Sequence, residues 1–215
     1  METTEAFRLD DVLRAVATWL EVPVKAILIV LILSAVALLG WLVAEIFTER
    51  RHLKVKLPKL LDDMQSATDS LADVISGSGL LKRQKEALLE LTRHPGFNDA
   101  MREALAVRLI EEAQARYDRI LKLSEIVARL GPMFGLLGTL IPLGPGIIAL
   151  GQGDTYTLSI SLLTAFDTTI AGLSAAAVAT VISAVRRAWY KDYMSILEAL
   201  ANCALEVVEG VGVRD

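Results

Sequence analysis

The chain has 215 residues, 26 Asp and Glu against 22 Lys and Arg, a net charge of −4 and an apolar share of 53%. With a mean hydropathy of +0.48, these values exclude a disordered, collagenous or disulfide-built protein and point to membrane spans separated by charged segments. The single Cys203 leaves no thiol pair for a redox motif or a zinc ribbon, and the acidic balance argues against general nucleic-acid binding.

In chain order, residues 1–23 come first. Leu9, Val12, Leu13, Val16 and Leu20 form one apolar stripe, which predicts an amphipathic segment lying along the outer interface. Residues 24–44, VKAILIVLILSAVALLGWLVA, are long enough to cross about 30 Å of hydrocarbon. The acidic METTEAFRLDD before them is unlike the basic start of a signal peptide.

Residues 45–129 are charged and helical in pattern. KLLDDMQSATDSLADVI runs to Gly77-Ser78-Gly79, LLKRQKEALLELTRH runs to Pro95-Gly96, and Asn98 is placed to cap a long helix beginning at Asp99. That helix carries Leu105, Leu109, Ala113, Ile120, Leu123 and Val127 and feeds into a second span at 130–150, with a bend expected at Pro132. A short outer loop, 151–157, joins it to a third span at 158–185. The tail, 186–215, continues that helix on an apolar face of Ile196, Leu197, Leu200, Cys203, Ala204 and Val207.

The fold expected is an all-α membrane protein, with three transmembrane helices and long cytoplasmic helical extensions. Lys and Arg cluster after the first span (Arg50, Arg51, Lys54), before the second (Arg119, Lys122, Arg129) and after the third (Arg186, Arg187, Lys191). The hairpin loop carries only Asp154. The N-terminus is therefore expected outside and the C-terminus in the cytoplasm. Trp19 and Trp41 bracket the first span, and Tyr156 with Trp189, Tyr190 and Tyr193 bracket the third, as interfacial aromatics do.

Enzyme chemistry finds no footing in the spans. Both histidines, His52 and His94, stand outside them, no P-loop or GxGxxG is present, and Asp167 has no second carboxylate. What the spans do hold is a pattern of small residues. Gly131, Gly135, Gly138, Thr139, Pro142 and Gly146 share one face of the second span, and Thr164, Thr168, Thr169, Gly172, Ala176 and Thr180 share an arc of the third. Such faces let helix backbones approach closely. Asp167 lies about 14 Å inside the outer end, at about 1.5 Å per residue. At that depth an acid is expected to hydrogen-bond a hydroxyl such as Thr164 or a neighbouring helix, or to serve as a proton relay.

The stretch GPMFGLLGTL, then a short loop, then LLTAFDTTIAGLSAAAVATVISAV, resembles the paired-span core of the MotA/TolQ/ExbB proton-channel family, in its three-span TolQ/ExbB-like branch. The resemblance implies a stator: a homopentamer around a dimer of a single-span ExbD, TolR or MotB-like partner that turns ion flow into torque. It implies an ion path past Thr139 and Thr169, no cofactor, H⁺ or Na⁺ as the ion, and the cytoplasmic (inner) membrane as location. The chain departs from the family at Val178, where TolQ and ExbB carry proline, at the extra Pro142 and Pro145, and at Asp167, where they carry an apolar residue. The rival expectation is an oligomeric membrane scaffold that does not conduct.

Overall fold

In a computed structural model the described residues are 2–50, 57–66, 70–94 and 97–212, and among them every regular element is helical. The order is α1 (Glu2–Glu45), closed by a π-helical turn (Ile46–Arg50), α2 (Leu57–Ser66), α3 (Leu71–Gly77), α4 (Lys82–Thr92), α5 (Asp99–Gly151) and α6 (Thr155–Gly212). Within α1, α5 and α6 lie three stretches long and apolar enough to cross a bilayer.

Several expectations about element boundaries are corrected. Residues 2–23, within the stretch expected as a separate segment over 1–23, are not separate from the first span, because α1 runs unbroken through Pro23. One proline removes a single backbone hydrogen bond, too little to end a helix whose neighbours on both sides favour it. The long helix expected from Asp99 is present, and α5 continues through Pro132, Pro142 and Pro145. The run from Lys59 divides into α2 and α3, and at the end of α2 the Ser66 hydroxyl donates to the carbonyls of Asp62 and Asp63, as serines do where helices stop. The loop between α5 and α6 is shorter than expected, since helix persists to Gly151 and resumes at Thr155. Other signals read correctly. Asn98 Oδ1 accepts the Met101 amide at 2.8 Å at the head of α5, and the tail does continue α6.

The chain divides into two compact units. The first comprises residues 1–40 and 122–183. In it α1 buries Val24, Leu28, Leu31, Ala35 and Leu38, spaced by three and four residues so that they line one face. Ile29, Val30, Leu33 and Val36 lie exposed on the other faces, as a lipid-facing surface would.

The second unit comprises residues 41–121 and 184–215, and its core is an ordinary soluble one. Leu60 and Met64 of α2, Leu71 and Ile75 of α3, Leu88 and Leu91 of α4, and Ala106 of α5 pack with Leu197, Leu200, Cys203 and Ala204 of α6. Burying each large side chain contributes about 1.5 to 3 kcal/mol, which holds three short helices onto the long ones. Burial raises the Cys203 thiol above its usual range, helped by nearby Glu206, so it behaves as a small apolar residue.

Candidate functional site

The α5–α6 hairpin begins with a tight turn. Gly153 takes φ +76°, a left-handed conformation that glycine adopts without a Cβ clash. Asp154 then accepts from the Thr157 amide at 3.1 Å and from the Thr157 hydroxyl at 2.5 Å. The Thr157 hydroxyl and then its amide hold the Asp154 carboxyl below its ordinary value, so this cap acts at neutral pH and weakens as pH falls into the acid range.

Below the turn the small residues meet in register. A Cβ on Gly172 would strike the carbonyl oxygen of Gly131 and come within 2.9 Å of Gly135 Cα, and one on Gly131 would lie 2.9 Å from Ala176 Cβ. Gly138 faces the Thr168 side chain, and Gly146 faces Ser161. Further along, Ser183 Oγ donates to Ser124 Oγ across the pair at 2.8 Å. The glycine face and the small arc are thus one interface, with Pro142 half-buried at its edge. Gly135 is the looser position, where an added Cβ meets nothing nearer than 3.5 Å.

This register fixes where the neighbouring side chains turn. The helices run antiparallel, and Gly138 faces Thr168. The next residue on each, Thr139 and Thr169, therefore turns to the same flank of the hairpin, whereas Asp167 turns to the far side of α6. Thr139 and Thr169 are half-buried and Asp167 is exposed.

The hydroxyl protons have local acceptors. Thr139 donates to Leu136 O at 2.6 Å, Thr164 to Ile160 O at 3.0 Å, Thr169 to Ala165 O at 2.9 Å and Thr180 to Ala176 O at 2.8 Å. Thr164, expected as a hydrogen-bond partner of Asp167, spends its proton on its own helix, which leaves its lone pairs able to accept. With its proton spent on a carbonyl, each threonine presents oxygen lone pairs outward. The shared flank of Thr139 and Thr169 is thus an acceptor surface.

A second polar site was not legible in the sequence. Arg186 is fully buried, and its Nε donates to Glu45 Oε2 at 3.0 Å while the Tyr190 hydroxyl donates to Glu45 Oε1 at 2.9 Å. Arg186 Nη2 lies 3.0 Å from the same Oε2 but outside hydrogen-bond geometry. The guanidinium sits 4.8 Å from the Trp41 ring centroid, a cation–π contact that offsets part of its lost hydration. Tyr117 stacks on Tyr190 with centroids 4.4 Å apart. The expectation that Trp189, Tyr190 and Tyr193 sit at the membrane interface is corrected, since all three are buried in protein.

A polytopic helical protein with a glycine-zipped hairpin and paired threonines is what these features define. Residues 80–199, more than half of the chain, match the MotA/TolQ/ExbB proton channel family, and the chain belongs to it. The match takes in α4, the hairpin and α6 as far as Ala199, well beyond the segment that carries the sequence resemblance. No individual curated protein matches the chain significantly. Together with the three apolar helices, the family makes this a multi-pass membrane protein of a channel type.

Proposed function

We propose that this chain is the ring-forming subunit of an ion-driven stator, assembled around a short single-span partner that supplies a membrane carboxylate. The ion, H⁺ or Na⁺, passes along the flank shared by Thr139 and Thr169, and its flow turns the ring against the partner. The N-terminus lies outside the cytoplasmic membrane and the charged unit inside, following the Lys and Arg of the span ends. The observation that carries this reading is the common flank of Thr139 and Thr169, whose outward lone pairs are the chemistry a passing cation needs.

Valine is nearly isosteric with threonine but has no oxygen. Thr139→Val or Thr169→Val is expected to leave assembly intact and to lower partner-dependent flux in proteoliposomes about tenfold, the worth of one hydrogen-bonding step. Undiminished flux in both variants overturns the assigned path. An intact complex of ring and partner that passes no ion in wild type leaves the non-conducting scaffold as the function.

A further inference from the structure

The spans at 24–44, 130–150 and 158–185 hold two ionisable side chains of opposite sign, Lys25 and Asp167. Each is costly in hydrocarbon, and charges at such depth pair with one another or line a hydrated path. The register of the hairpin turns Asp167 to the side of α6 opposite the Thr139 and Thr169 flank, where Leu163, Phe166 and Ile170 surround it with exposed apolar surface. Bare lipid is therefore its alternative to a protein partner. Lys25 follows the buried Val24 on α1, and its side chain is 45% exposed. Its Nζ lies 2.7 Å from Glu21 Oε1, which uses one of three ammonium donors.

The depths agree. Three crossings put the N-terminal ends of α1 and α6 on the same side of the membrane whatever the orientation. Taking Trp19 and Tyr156 as the aromatic belt on that side, Lys25 stands about 9 Å below it and Asp167 about 16 Å, at about 1.5 Å per residue. The flexible lysine stem, about 6 Å long, together with the Asp167 side chain covers the difference.

We propose that Lys25 of one copy covers Asp167 of the next, so that the two intramembrane charges neutralise each other across the subunit interface. The inference rests on the ring reading above. It gives Asp167 a role in holding neighbours together, apart from the ion path. Charge complementarity names the occupant of this surface: it is acidic within an apolar collar, and the spans of the same chain carry one base, Lys25, with two ammonium donors beyond its Glu21 contact.

The test exchanges the charges. Lys25→Glu and Asp167→Lys are each expected to weaken the ring about a hundredfold, the scale of an unpaired charge at span depth, as read by native mass spectrometry on dilution. The chain with both substitutions re-forms it. Co-expression of the two singly substituted chains under different tags separates the geometries. If the pair joins copies, the two chains recover each other in pull-down and assemble together although neither does so alone. Rescue by the doubly substituted chain without rescue by mixing places the pair inside one chain and overturns the proposal. So does a ring indifferent to either single change. Lys25→Gln and Asp167→Asn, which add no repulsion, are expected to weaken the ring less than the reversals; equal loss from both kinds of change also overturns it. A wild-type chain that is itself monomeric refutes the ring reading, a result distinct from any of these.

Discussion

Gly172→Ala is expected to force the α5–α6 hairpin apart, although it adds only one methyl group. The new Cβ would meet the Gly131 carbonyl oxygen and the Gly135 backbone, with its Cα at 2.9 Å and its N at 3.1 Å. Backbone cannot rotate out of the way as a side chain can, so the helices themselves would have to move. Overpacking of this kind costs about 1 to 3 kcal/mol, and the loss spreads along the contact because Gly138–Thr168 and Gly146–Ser161 share its register. Gly131→Ala should behave alike. Gly135→Ala and Gly144→Ala are the controls: the first meets only ordinary contacts and the second open space. Both should leave thermal stability unchanged or raise it by up to about 1 kcal/mol through helix propensity. Melting curves of the purified protein in detergent decide the matter, and equal losses at Gly172 and Gly135 would sink the explanation.

Arg186→Met carries the other large effect. It removes a fully buried cation and leaves Glu45, only 8% exposed, with the Tyr190 hydroxyl as its remaining donor. Breaking a buried pair by deleting one partner costs about 3 to 5 kcal/mol. The combined Glu45→Gln and Arg186→Met variant should recover most of that, because glutamine stays neutral and still offers Tyr190 an acceptor. Denaturant titration of the single and double variants in detergent measures both steps. A double variant as unstable as Arg186→Met alone would mean that lost packing against Trp41, and not the stranded carboxylate, accounts for the effect.

These two sites differ in how far the sequence disclosed them. The glycine face could be read because its spacing is local: Gly131, Gly135 and Gly138 recur at helical intervals, and a small face on a long apolar helix has few uses. The Asn98 cap was equally local. Arg186 and Glu45 are 141 residues apart, and near a span end an arginine reads first as a topology signal. Only packing reveals that it points into protein. Tyr190 misled for the same reason, since an aromatic beside a span fits a membrane interface and a protein core alike. The Thr139 and Thr169 positions came from resemblance, and their common flank emerged only from the register of α5 against α6.

The three residues between Gly151 and Thr155 also bear on how the protein is made. A connection this short, with Gly153 held at positive φ, gives neither of the two later spans room to enter the bilayer and wait for the other. They are expected to insert together as a pair, carrying across a tip whose single charge is Asp154. The glycine contacts then belong to biogenesis as much as to the finished fold. A substitution that spoils them is expected to be felt at the translocon, as a chain handed to quality control before its fold is complete.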